Sequence, residues 1–184
     1  EDEYHSTIWP EESPAVYARF LNTPDKPPLV HAGSVTQLDN GDVLAVWFAG
    51  SREGAADVAI YSRRYRADIN KWTPPIVITD RERTARELGR YIRKLGNPVI
   101  YTDAQGGVWL YYVTVSVGGW AGSSITVKYS DNGGRRWSPA RRLITSPFMN
   151  LSTLVKGSPV RMEDGQLVLP VYHEMITKFG ELLH

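Results

Sequence analysis

The stretch Tyr129-Ser130-Asp131-Asn132-Gly133-Gly134-Arg135-Arg136-Trp137-Ser138 decides the fold. It is a tight polar turn closed by one large indole and flanked by strand-like runs. Ser124-Ile125-Thr126-Val127-Lys128-Tyr129 is β-rich, and Ala140-Arg141-Arg142-Leu143-Ile144-Thr145 can run back alongside it, which predicts a hairpin. Asn132 offers a side-chain bond to the backbone, and Gly133-Gly134 the positive φ that such a turn needs. Trp137 is placed to fold over the hairpin end, its ring buried between neighbouring elements and its N–H seeking an acceptor.

Outward from this turn the chain repeats. Ser34 to Leu38, the turn Asp39-Asn40-Gly41-Asp42 and Val43 to Phe48 read as one hairpin; Asp57 to Arg64 and Trp72 to Ile78 read as a second. The same four strands recur as Pro98 to Tyr101, Val108 to Val113 and the opening hairpin, so that Gly106 and Trp137 each follow Gly41 and Trp72 by 65 positions. Equal offsets at two landmarks indicate true repetition. A third unit starts at Pro159 to Met162, turns at Glu163-Asp164-Gly165-Gln166 and returns through Leu167 to Tyr172. Between the first two units, Ala85, Leu88, Ile92 and Leu95 fall at helical spacing, with Thr79 or Asp80 to cap the start and Gly96 the end. The expected organisation is therefore a peripheral or ring-closing segment at 1–28 with a strand at Ala15 to Phe20, unit 1 at 29–80, a short basic helix at 81–96, unit 2 at 97–145, and a linker with the first hairpin of unit 3 at 146–184.

Composition narrows the class. Of 184 residues, 42% are hydrophobic and 22% charged, as in ordinary globular proteins, and six Trp and ten Tyr against four Phe favour β-structure and amphipathic surfaces. A net charge of +1 gives no reason to expect a nucleic-acid partner. No apolar run is long enough to span a bilayer, so no membrane partner is expected. Zero Cys excludes thiolate metal sites, and His5, His31, His173 and His184 form no metal-spacing motif, so neither metal nor cofactor is expected. Glu1-Asp2-Glu3 is the opposite of the basic start of a signal peptide, although a leader removed beforehand fits the same sequence. Localisation stays open, with a secreted or periplasmic setting favoured.

The pattern of Ser130, Gly134 and Trp137 resembles the Asp-box of sialidases and BNR-repeat proteins, Ser-x-Asp-x-Gly-x-Thr-Trp. Asn132 stands at the usual Asp and Arg136 at the usual Thr, and Asn keeps the local turn bond. The resemblance implies an all-β protein, a β-propeller of four-stranded antiparallel blades, six-bladed when complete, with one short inter-blade helix. Propellers carry about 4–8 blades, so two and a half leave a sheet edge open. That leads us to expect a fragment, with self-association or a second chain completing the ring.

Strands of a blade alternate up and down, which sorts the loops onto two faces. The first-to-second and third-to-fourth turns share one face, and their acids and glycines are explicable as turn chemistry. The other face collects His31 to Ser34, Gly50 to Asp57, the basic helix, Asn97, Gly118 to Gly122, Phe148 to Ser158 and Tyr172 to Glu174. Charge, glycine hinges and an exposed indole on loops held by a rigid scaffold suit a sugar pocket. Leu44 to Ile60, with Gly50-Ser51-Arg52-Glu53-Gly54-Ala55-Ala56-Asp57 at its centre, looks like the first blade of bacterial sialidase-like (predicted neuraminidase) proteins, and the likeness runs from about 29 to 181.

That likeness implies an acid/base role for Asp57, a pocket role for Arg52, a substrate contact at Asn97, where sialidases keep an Asp before Pro, and a pocket aromatic in Trp120. His31 takes the place of the Arg that begins the carboxylate-binding triad. His173 and Glu174 complete the candidate set, and the Tyr nucleophile, its Glu partner and the other triad Arg residues would follow His184. Bland readings stand beside these: Asp57 bonding its own turn, His31 as a hydrogen-bonded strand start, Arg52 paired with Glu53 or Asp57, Trp120 plugging the gap between blades, and His173 and Glu174 as exposed loop residues. The expected function is a sialidase-like glycoside hydrolase releasing a terminal, acidic sugar from glycans, the complete protein active and this stretch alone inactive. The alternatives are a glycan-binding propeller without catalysis and a structural or assembly propeller.

Overall fold

A computed structural model of the chain describes residues 27–145 and 152–173. The expected strand at Ala15 to Phe20, most of the 1–28 segment and Glu174 lie outside the described residues. The first sheet runs in the order β1 (Leu29–Gln37), β2 (Val43–Gly50), β3 (Ala59–Arg66), with β4 (Lys71–Trp72) and β5 (Ile76–Asp80) sharing the far edge of β3. The fourth strand is split because Pro74 and Pro75 bring no N–H to the ladder. The second sheet runs β6 (Lys94–Thr102), β7 (Val108–Val115), β8 (Ser123–Ser130), β9 (Arg141–Arg142). Beyond it, β10 (Thr153–Val155) pairs with β13 (Val171–His173), and β11 (Val160–Arg161) with β12 (Leu167–Val168), as one hairpin interrupted midway. All pairings are antiparallel, and the architecture is that of neighbouring propeller blades.

The 65-residue repeat holds bond by bond. Leu29 pairs with Gly50 in the first blade and Lys94 with Val115 in the second, and both inner strands are bulged, between His31 and Ser34 and between Gly96 and Val99. At each bulge a non-glycine residue sits at positive φ, Ala32 at 49° and Asn97 at 45°. Thr73 donates its N–H to the Arg64 carbonyl at 2.7 Å and Ser138 to that of Tyr129 at 2.8 Å. In return the Arg64 N–H reaches the Thr73 hydroxyl at 3.1 Å, and the Tyr129 N–H that of Ser138 at 3.0 Å. Trp72 and Trp137 therefore precede equivalent residues of adjacent blades.

Alternation along β7 explains how the blades stack. Val108, Leu110 and Tyr112 face Val46, Phe48 and Ile60 of the first blade, whereas Tyr111 and Val113 face Leu154 and Val155 of the third. A strand covered on both faces has no polar side, which is why 108–113 reads as an unbroken apolar run. The inner strands are stitched across the blade gap by hydroxyls: the Ile100 N–H donates to Ser34 Oγ and that of Thr102 to Thr36 Oγ1, each at 3.1 Å.

The 130–137 turn packs on the first blade. Ser130 Oγ accepts the Gly134 N–H at 2.8 Å, and Asn132 Oδ1 the Arg136 N–H at 2.8 Å. Gly134 has φ +80°, and a Cβ there would lie 2.6 Å from Leu44 Cδ2, so only glycine fits. The Trp137 ring packs against the core between the first two blades as expected, but its N–H is buried with no acceptor among the described residues.

The helix differs from the sequence expectation. It spans Arg81–Leu88, α1, capped by the Asp80 carboxylate on the Arg83 N–H and ended by Gly89 in the left-handed region. Ile92 and Leu95 are not its third turn: Leu95 pairs with Thr114 and Gly96 with Val113 in the second sheet. Leu95 is buried in the core between the blades, where strand pairing outweighs local periodicity, and Ile92, also buried, lies between helix and strand.

Candidate functional site

The 51–57 loop is built on close backbone approach and two apolar feet. A Cβ at Gly50 would stand 2.8 Å from Val58 Cγ2, so the strand can turn back there only because the residue is glycine. Ala55 and Val58 are buried in the inter-blade core, and successive turns close Ala55 N–H onto the Arg52 carbonyl (3.1 Å) and Val58 N–H onto that of Ala55 (3.4 Å). Arg52, Glu53, Ala56 and Asp57 are left exposed. The Asp57 carboxylate accepts the Ser51 N–H at 3.0 Å and its hydroxyl at 2.9 Å, so it braces its own loop. Arg52 makes no ion pair with Glu53 or Asp57.

The other candidates reach this rim from neighbouring strands. His31 is exposed and stacks on Phe48, with ring centroids 5.4 Å apart. Phe48 and Trp120 both border Gly96, where an added Cβ would be 3.5 Å from the Phe48 ring and 3.3 Å from Trp120 Cη2. Trp120 opens a 3-10 turn, Trp120–Gly122, and packs partly against the core toward the third blade, so one edge of its indole does plug the blade gap. Asn97, next to Gly96, donates to the Tyr172 hydroxyl at 3.4 Å. His173 Nδ1 lies 2.9 Å from the Ser152 carbonyl, which requires that nitrogen to carry the proton. His31, Trp120 and Asn97 are thus linked through Phe48 and Gly96, and the third blade joins them at Tyr172.

One rim residue escaped the sequence reading. Lys94 Nζ stands 5.5 Å from the centre of the Trp120 ring, and its stem lies against Gly54, where a Cβ would meet Cε at 3.0 Å. It connects the 51–57 loop to Trp120. Its signal was hidden because 81–96 was read as helix; the strand register alone reveals which way it points.

The opposite end holds the turns. There the Asp103 carboxylate accepts Trp109 Nε1 at 2.7 Å and the N–H groups of Gln105 and Gly107 at 3.0 and 2.8 Å. Burial pushes its pKa up, but these donors outweigh that and leave it below the usual carboxylate value. Asp42 is held low in the same way: burial raises it, and the Ala67 N–H, Asn40 and Arg64 more than compensate. Acids so occupied are structural. Among the described residues no His, Asp and Glu cluster could hold a metal ion, and no helix is long and apolar enough to cross a membrane.

Fold and rim together define a blade array of the sialidase propeller type. The chain belongs to the BNR repeat-like family, whose domain matches residues 41–184. No curated protein matches it. Among solved structures it is similar to the Hadza microbial sialidase Hz136, with TM-score 0.61 and 18% identity over 77% of this chain and 32% of that one. It is also similar to the intramolecular trans-sialidase of Ruminococcus gnavus, with TM-score 0.60 and 11% identity over 79% of this chain and 56% of that one. A protein of unknown function from Dyadobacter fermentans gives TM-score 0.56 and 15% identity, over 75% and 45%. The chain thus spans between about a third and just over half of these neighbours.

Proposed function

We propose that the rim is the glycan site of a sialidase-like exo-glycosidase, with Asp57 as the general acid that protonates the departing glycosidic oxygen and Arg52, His31, Asn97, Trp120 and His173 as substrate contacts. The observation that carries this reading is the meeting of the Arg52–Asp57 loop, the His31–Phe48 stack and the Gly96–Trp120 contact at one rim, away from the turns. Sialidase neighbours with the same fold support it, among them a trans-sialidase solved with oseltamivir carboxylate. The substrate is a terminal, acidic sugar. Release of aryl glycosides by the full-length protein tests the proposal: turnover of an acidic glycoside is expected, and silence toward all acidic and neutral glycosides would overturn catalysis.

The second reading is a glycan-binding propeller without catalysis, favoured by the two Ser51 bonds that already occupy the Asp57 carboxylate. Glycan-array binding without release would select it. Neither binding nor release would leave a structural or assembly propeller.

A further inference from the structure

We infer that Lys94 is an anion-recognising residue of this rim, reading the carboxylate of an acidic sugar. The inference rests on the rim being a glycan site. His31, on the first blade, is stacked on Phe48. Lys94 opens the first strand of the neighbouring blade. It is half-buried, its stem is confined by Gly54, and its ammonium is held over the Trp120 ring.

Among the described residues no carboxylate pairs with the Lys94 ammonium; Glu53 and Asp57 of the 51–57 loop are exposed, and the Asp57 carboxylate is bonded to Ser51. Arg93, its neighbour in sequence, spends its guanidinium on the Gly118 carbonyl at 3.1 Å, which steadies the loop that presents Trp120. A cation that is partly desolvated, positioned on two sides and without a carboxylate partner among the described residues gains from an incoming anion. Cations over an indole normally need no further partner on an exposed surface; here the Gly54 contact also restricts the side chain, so less rotamer freedom is left to lose on binding.

The test is calorimetric titration, with Trp fluorescence in parallel, of the full-length protein with N-acetylneuraminate and glucuronate, each against its uncharged methyl ester. Wild type should bind at least one acid about tenfold more tightly than its ester, the worth of one charge-assisted hydrogen bond. Lys94→Arg should keep that preference and Lys94→Gln should abolish it while binding the ester unchanged. Should Lys94→Gln not fold, Lys94→Met takes its place, and salt is varied in wild type as a second readout. Moving from about 0.01 M to 1 M shortens the Debye length from about 30 to 3 Å, and must weaken the acid but spare the ester. An acid preference retained in Lys94→Gln, or insensitive to salt, overturns the inference. Equal binding of acid and ester overturns it while leaving a glycan site; no binding of any of the four sugars overturns both.

Discussion

The Lys128 ammonium, fully buried on β8, donates to the carboxylate of Glu87 near the end of α1, and so joins the connector leaving the first blade to the third strand of the second. Lys128 also donates to the Ser138 carbonyl at 3.0 Å, and Glu87 accepts the Ala140 N–H at 2.8 Å. Removing one partner strands the other charge. Lys128→Met is therefore expected to destabilise the protein by about 3 kcal/mol, and Glu87→Leu with Lys128→Met by less than the sum of the single changes. Chemical denaturation of the four variants in the cycle measures both; an additive result would show that the two groups act independently.

Stability should also fall in acid. Burial raises the pKa of Glu87, but Lys128, the Ala140 N–H and Arg83 bring it below its ordinary value of 4.5. A group whose folded pKa is depressed stabilises fully above its unfolded pKa and loses that contribution as pH drops through the folded value. Asp42 and Asp103 are depressed from 3.8 in the same sense. Melting temperature should accordingly be flat just above pH 4.5 and decline below it, and Asp103→Asn should make that decline shallower. An unchanged slope in Asp103→Asn would contradict the assignment.

Two left-handed glycines separate strain from crowding. At Gly89, φ is +61° and nothing lies within 4 Å of an added Cβ, so Gly89→Ala should cost only the left-handed penalty of about 1–2 kcal/mol. At Gly134 the same penalty adds to a collision with Leu44, and Gly134→Ala should cost about 1–3 kcal/mol more. Denaturation midpoints that rank the two the other way round would show that the 130–137 turn is not seated on the first blade.

At the rim, Asp57→Asn in the active protein should lower turnover by about 10²–10⁴-fold on substrates that need leaving-group protonation, and far less on activated aryl glycosides. Asn retains a side-chain oxygen, so one of the two Ser51 bonds survives and loss of the loop is not the cause. Equal losses on both substrate types would remove the acid role.

Much of the blade architecture was legible because its markers are local. Gly41 and Gly106 have φ of 83° and 78°, and the pairs Arg64/Thr73 and Tyr129/Ser138 depend on residues close in sequence. The helix end was not legible, since Leu95 is paired and buried by a partner strand that periodicity cannot see. The rim loops were legible as a set, through the up-and-down alternation, but the placement of Lys94 among them was not. Its direction depends on a bulge two residues later and on packing against Gly54, a residue 40 positions away.

The paired bulges at Ala32 and Asn97 carry a consequence for how such a rim diversifies. One backbone kink, copied between blades, carries the methyl group of Ala32 in one place and the amide of Asn97 in the other. The kink tolerates an alanine and an asparagine at positive φ, so its shape is imposed by the pairing around it and not by the residue it displays. Mutation can then exchange the displayed group while the mounting stays fixed, so the rim of such a blade array can change what it presents without rebuilding a strand.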